Sequence, residues 1–367
     1  MQQGYDNLND SGHLQKLLAE YRLPSPLGFG RELAPVMYRA DFVDGHWLDG
    51  ALQPYAPIPI DPAATILHYA QQAFEGLKAY RVDQPEAALF RPEMNYRRLV
   101  SSSRRLCMPA VPPDLFAEAL SALTTTLAPF IPGGSGQSLY LRPFIMGTAP
   151  GLAVKSSDAF TFLLIASPSD AYFSKPIRVM VERENCRAAV GGTGADKTGG
   201  NYAASLLATT NCIERGFDQP LWLDPAQRRH VEELSGMNLV AVIDGALHTP
   251  RLNGSILPGV TRDSLLRLAP RLGFEVVERD LPIDELLEDI RAGRCTEFFA
   301  CGTAAIVCPI SVVGEADSSV TELPEIGRIA GRLRAAILDV QEGRAGDPFG
   351  WMVDAADLEG LVGRMRC

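Results

Sequence analysis

One lysine constrains this chain more than any other residue. It stands in Gly191-Gly192-Thr193-Gly194-Ala195-Asp196-Lys197-Thr198-Gly199-Gly200-Asn201-Tyr202, a run with five glycines and a single Lys. Glycine lets backbone turn through positive φ and pass close to a bulky group. Such a run presents Lys197 to something. After Asn201 come good helix formers, Tyr202-Ala203-Ala204-Ser205-Leu206-Leu207-Ala208, so the lysine is expected just ahead of a helix. Phosphate is one candidate partner. A P-loop, however, needs Gly directly before its Lys, and Asp196 stands there. The dinucleotide fingerprint fails too, because its third Gly falls on Lys197. An aldehyde is the other candidate, since a Lys that gives up its proton readily forms a Schiff base. The plain alternative is a mobile surface loop with a solvated Lys, and the rest of the chain must decide.

The bulk numbers set limits. A length of 367 residues suggests two domains. With 46% apolar and 21% charged residues, the composition is that of a soluble globular protein. A net charge of −10 argues against non-specific binding to nucleic acid or anionic membrane, and fits a cytoplasmic protein. Apolar runs such as 159–166 are far shorter than a membrane span. Residues 1–20 carry acids and no apolar core, so neither a secretory signal nor a transit peptide is expected there. The seven cysteines match no zinc spacing, and a scattered odd count argues against a disulfide framework. They read as mostly buried thiols in a reducing compartment. His230 beside Glu232 and Glu233 reads as a surface or supporting residue, and no catalytic metal is expected.

Taken in order, the chain reads as helices over 14–22, 95–107 and 115–127, with strands over 36–42, 44–48, 138–145 and 160–166. The stretch 67–81 reads as a buried strand and turn whose aromatics, Tyr69, Phe74 and Tyr80, fill a core or line an apolar pocket. Arg97, Arg98, Arg104 and Arg105 read mostly as a solvated face, from which one can reach an anion. Tyr140 and Arg142 fall on one face of a strand, an arrangement suited to a carboxylate. The Pro- and Ser-containing stretch 167–176 is the best domain boundary, and strands follow at 177–182, 220–224 and across 231–242. Within the last, Glu232 and Glu233 read as surface acids. Leu257-Pro258-Gly259-Val260-Thr261 opens a helix expected to run to about Leu272, and its free amides and positive dipole end suit an anion. Gly302-Thr303-Ala304-Ala305, a small-residue turn between two strands, is a second anion cup. A presented Lys, two anion cups, arginines, an acid and aromatics together suit pyridoxal 5′-phosphate (PLP), an aldehyde that also needs a phosphate cup and a partner for its ring nitrogen.

These segments, in this order, resemble the branched-chain amino-acid aminotransferases, PLP enzymes of fold type IV in the class IV aminotransferase family. The blocks that carry the resemblance are Phe74-Glu75-Gly76-Leu77-Lys78-Ala79-Tyr80, Phe90-Arg91-Pro92, Tyr140-Leu141-Arg142-Pro143-Phe144, 191–204, Glu233-Leu234-Ser235-Gly236-Met237-Asn238, 257–263 and 302–305. The resemblance spans about 42–351, nearly the whole chain. It implies a two-domain α/β (α+β) fold like that of D-amino-acid aminotransferase. A smaller N-terminal domain, 1–170, would carry substrate-pocket residues. A linker would cover 171–176, and a larger PLP-binding domain 177–367.

The resemblance also implies roles. Lys197 would carry the Schiff base and, once freed, move the catalytic proton. Arg98 would hold the cofactor phosphate with the Val260 and Thr261 amides and Thr303. Tyr202 would bond the phenolate oxygen and Glu233 the ring nitrogen. Tyr69, Phe74, Tyr140 and Tyr172 would surround an apolar side chain, and Arg142 with the Thr303 and Ala304 amides would meet the carboxylate. The loop 151–154 would reach a partner subunit's site, implying a homodimer. The implied reaction moves the amino group between Leu, Ile or Val and 2-oxoglutarate.

Four departures bear on the substrate: Gln72 stands where the family usually has Glu, Ser235 where it has Gly, Thr148-Ala149-Pro150 lacks an acid often seen after that Thr, and the boundary loop after Phe173 is short. They leave open a specialised-metabolism relative acting on an unusual amino acid. A D-amino-acid transaminase and an aminodeoxychorismate-type lyase share the fold, but typically lack the 74–80 and 140–144 blocks. A non-catalytic binding protein is disfavoured because every cofactor position is filled. The closely spaced Cys pair of some animal relatives is absent, with Ala305 at its first place and Cys308 at its second.

Overall fold

A computed structural model describes residues 11–81, 87–170 and 175–366. The chain divides into two compact units, one of residues 1–172 with 339–367, the other of residues 173–338. The expected single C-terminal domain over 177–367 is thereby corrected. Its last stretch returns to the first unit, because strand Met352–Asp354 pairs with Ala87–Phe90 at the sheet edge. Helix Leu358–Arg366 also packs there, on helices Pro92–Arg105 and Pro113–Leu127.

The first unit is built on an antiparallel sheet. Its central strands, Leu77–Arg81, Ser138–Gly147, Phe160–Ser169 and Val36–Val43, lie side by side in that order. Ser138–Gly147 and Phe160–Ser169 pair over their full ten residues. Phe160–Ser169 is nearly all buried, which explains its unbroken apolar run. Helix Pro113–Leu127 starts with Pro at its first turn, where no N–H is needed. Leu115, Phe116, Ala119, Leu120, Leu123 and Leu127 recur at helical spacing on its buried face. Phe116 meets Phe162 of the sheet with ring centroids 6.0 Å apart.

The stretch 67–81 is corrected in part. It opens as a short helix, Thr65–Tyr69, and only then becomes strands Gln72–Phe74 and Leu77–Arg81. Tyr69 is exposed, whereas Tyr80 is buried and donates to Gln341 Oε1.

The second unit holds a mixed sheet that curls on itself. Strands Val231–Leu234, Gln219–Leu223, Ile177–Glu182, Ile306–Gly314, Cys295–Gly302 and Asn238–Ile243 follow one another in space. A further pairing of the first with the last closes them into a six-membered ring, and the paired residues are Glu233 and Asn238. Leu221, Leu239, Ala241, Phe298, Ala300 and Ile310 are among its buried core. No helix among the described residues is long and apolar enough to cross a membrane.

Candidate active site

Lys197 sits half-buried just before helix Gly199–Glu214, which starts slightly earlier than the helix formers alone suggest. Asn201, on the first turn, fixes the loop ahead of it. Its amide donates to the carbonyls of Thr193 (2.7 Å) and Asp196 (2.8 Å), and its oxygen accepts from the Thr193 hydroxyl (2.7 Å). Gly194 is needed in that loop, because a Cβ there would lie 2.2 Å from the Ser255 carbonyl oxygen. So clamped, Lys197 Nζ donates to the Tyr202 hydroxyl at 2.7 Å. The solvated-loop reading of the lysine is therefore corrected.

Glu233 lies at the ring closure. Glu232 and Glu233 are 2% and 3% exposed, so the expectation of surface acids is corrected: their strand is closed in by its neighbours on both sides. Glu233 Oε1 pairs with Arg187 Nη2 at 2.8 Å and accepts from the Leu257 amide at 3.2 Å, while Oε2 accepts from the Asn238 amide at 2.9 Å. Burial pushes the Glu233 carboxyl up to about 7, against the downward pull of Arg187 and the Leu257 amide.

Asn238 joins the remaining pieces. Its amide also donates to the Leu257 carbonyl at 2.9 Å, tying the ring to the loop that feeds helix Val260–Leu268. Gly259 caps that helix, and a Cβ there would lie 2.0 Å from Asn238 Oδ1. No side chain caps the helix start, so the Val260 and Thr261 amides stand at its positive end without one. Asn238 pairs in register with Cys301, which brings the turn after Gly302 to the same end of the ring. Ile306 closes that turn at φ 63, a conformation a β-branched residue adopts only when its surroundings force it. Lys197, Tyr202, Glu233, Val260, Thr261, Thr303 and Ala304 thus belong to one framework in the second unit.

Other expected residues lie in the first unit. Arg98 is buried rather than solvated, and its guanidinium grips Glu75 with both ends, at 2.6 and 2.8 Å. Asn95 adds an amide to the same carboxylate at 2.8 Å. Phe74, Tyr140 and Arg142 come together: Arg142 Nη2 donates to the Tyr140 hydroxyl at 2.9 Å, and its guanidinium lies 4.7 Å from the Phe74 ring centre. Arg142 Nε is buried with no hydrogen-bond partner among the described residues, a donor suited to an anion. Tyr69 does not join this group in its own hydrogen bonding. Its hydroxyl donates to the Leu152 carbonyl, in the loop 151–154. Tyr172 lies outside the described residues.

Sequence reasoning missed Arg187, Asn238 as a clamp, and Glu75 with Asn95 around Arg98. The signal available was their presence inside or beside the matched blocks, since no periodicity marks them. Ser235, where the family has Gly, accepts from the indole N–H of buried Trp222 at 3.1 Å. Among the described residues no group of three or more His, Cys, Asp or Glu could hold a metal.

The donor set suits PLP: an amine beside a phenol, a buried carboxylate held by Arg187, and a helix start that no side chain caps. Comparison with known proteins agrees. The family model "Amino-transferase class IV" matches residues 72–313. A probable branched-chain-amino-acid aminotransferase of Streptomyces coelicolor is 47% identical over 331 residues, covering 89% of this chain and 91% of its own. The branched-chain-amino-acid aminotransferase of Mycolicibacterium smegmatis is 47% identical over 335 residues, with the same coverage of 89% and 91%. Among solved structures, the branched-chain amino acid aminotransferase from Escherichia coli superposes with TM-score 0.70 at 27% identity, over 87% of this chain and 98% of its own. A further branched-chain enzyme, solved in complex with N-(5′-phosphopyridoxyl)-L-glutamate, superposes with TM-score 0.69 at 27% identity, over 86% of this chain and 98% of its own. A chain whose sequence and fold both match in this way belongs to the class IV aminotransferases, among their branched-chain amino-acid members.

Proposed function

We propose that this chain moves the amino group between a branched-chain L-amino acid (Leu, Ile or Val) and 2-oxoglutarate, with PLP joined to Lys197. The observation that carries the reading is the clamped lysine, its amine 2.7 Å from the Tyr202 hydroxyl. Through Gly194 and Ser255 that lysine shares a framework with buried Glu233. When bound, PLP supplies an electron sink for the bond broken at the substrate's α-carbon.

The protein's own residues do the rest. Lys197 Nζ takes the proton from the α-carbon and returns it on the other side of the exchange. Tyr202 steadies that amine and bonds the cofactor's phenolate oxygen. Glu233, positioned by Arg187, Asn238 and the Leu257 amide, takes the ring nitrogen and keeps it protonated. The Val260 and Thr261 amides with Thr303 take the phosphate. Phe74 and Tyr140 wall an apolar side chain. The orphaned Arg142 Nε meets a carboxylate. A pocket of this kind accepts both Leu and glutamate because the polar group lies beside the aromatic wall.

Leu206 and Leu207 on the lysine helix are each 64% exposed, and Leu152 and Val154 more so. Apolar side chains so exposed support a homodimer, and cytoplasmic action fits the acidic chain. The test is direct. Leu with 2-oxoglutarate should yield glutamate and 4-methyl-2-oxopentanoate, and Lys197→Ala should lower the rate by roughly 10³-fold or more. No turnover with Leu, Ile or Val would sink the substrate assignment, and pyruvate from aminodeoxychorismate would point to the lyase instead.

A further inference from the structure

Glu233 is already neutralised. Its Oε1 pairs with Arg187 inside the protein, and a matched buried pair offers a cationic ring nitrogen no surplus negative charge. The surplus lies next door. Glu232 Oε1 accepts from the Ser255 hydroxyl and, at 3.3 Å, from the Asn253 amide. The carbonyl of the same Ser255 accepts from Arg187 Nη2. Arg187 Nε and Glu232 Oε2, a donor and an acceptor of opposite charge, are both buried with no hydrogen-bond partner among the described residues. Ser255 therefore touches both groups, its hydroxyl on Glu232 and its carbonyl on Arg187, and two carboxylates flank one guanidinium. With all three ionised, the cluster carries one negative charge in excess.

We infer that Glu232, held in place by Ser255, is a positioning residue that offsets part of the charge of Arg187, leaving Glu233 to serve a cationic ring nitrogen. The inference rests on PLP binding at Lys197 with its ring nitrogen toward Glu233. The charged groups bearing on Glu233 are Arg187, Lys197 and Glu232, with the Cys301 thiol also close. Those bearing on Glu232 are Arg187 and Asp224. Burial raises the Glu232 carboxyl, and the Ser255 and Asn253 donors and Arg187 oppose it.

The test compares holoenzyme spectra. In wild type the pH at which the visible band of bound PLP changes reports how well the site stabilises positive charge on the cofactor. Glu232→Gln keeps the shape and an acceptor for Ser255 but removes the charge. Its midpoint should fall by about one pH unit, and the ¹⁵N signal of ring-labelled PLP should move toward the unprotonated nitrogen. Glu232→Asp keeps the charge and should titrate like wild type. A Gln variant that titrates like wild type overturns the inference. So do Gln and Asp variants that shift alike, since that pattern reports packing rather than charge. If the Gln variant does not fold, Ser255→Ala replaces it. It should move the midpoint in the same direction by a smaller amount, and an unmoved midpoint is again fatal. A wild-type protein without a visible band, or one whose band survives Lys197→Ala, would instead overturn the cofactor assignment itself.

Discussion

At the scale of single residues, the chemistry depends on charges held inside the protein. Burial outweighs Arg187 and pushes the Glu233 carboxyl up to about 7. PLP with a protonated ring nitrogen binds the carboxylate form, so binding draws that value down. The sign follows: affinity is full above about pH 7 and declines as pH falls through it. Reconstitution of the free protein should therefore weaken by up to about tenfold per pH unit between 7 and 5, and a flat affinity over that range would refute the assignment. Arg98 poses a similar problem in the first unit. Glu75→Gln would leave its guanidinium buried beside an uncharged amide, at a cost of about 3–5 kcal/mol in urea unfolding. Lys197 was legible in the sequence because glycines surround it. Arg187 was not, because nothing in Cys186-Arg187-Ala188 distinguishes an interior cation from a solvated one. Glu232 and Glu233 were misread for the same reason, since adjacent acids are buried only where partners from other strands wait for them.

At the scale of elements, strands and helices announced themselves and their junctions did not. Periodicity marked Pro113–Leu127, which buries one face, and an unbroken apolar run marked Phe160–Ser169, which is buried on both. Thr65–Tyr69 escaped notice because a five-residue helix has no period to show. The junction at Gly259 was legible as a Pro-Gly helix start, yet the sequence says nothing of Asn238 lying against it. Gly259→Ala would press its Cβ into Asn238 Oδ1. We expect roughly 1–3 kcal/mol of destabilisation, with weaker PLP binding in the same variant. Thermal unfolding and cofactor titration measure the two. A variant as stable as wild type, with unchanged affinity, would show that Asn238 moves aside freely.

At the scale of the whole molecule, the division into two units was visible as a Pro- and Ser-containing boundary. The return of the chain's end to the first unit was not, because pairing between Met352–Asp354 and Ala87–Phe90 joins residues remote in sequence. Removing residues 339–367 would strip that strand, helix Leu358–Arg366 and the Tyr80–Gln341 hydrogen bond from the first unit. We expect the truncated chain to lose cooperative folding of the first unit, seen as rapid proteolysis within 11–170. Resistance equal to the full chain would contradict the assignment of residues 339–367 to that unit. The two units also divide their duties. Lys197, Tyr202, Glu233 and the two turns proposed as anion cups come from residues 173–338, whereas Phe74, Tyr140 and Arg142 come from the sheet of the other unit. A lineage can therefore trade one amino acid for another by altering side chains in the first half of its gene. The lysine and the buried acid proposed to meet the vitamin-derived coenzyme lie outside that half, so new substrate tastes are open to drift without a passage through an inactive ancestor.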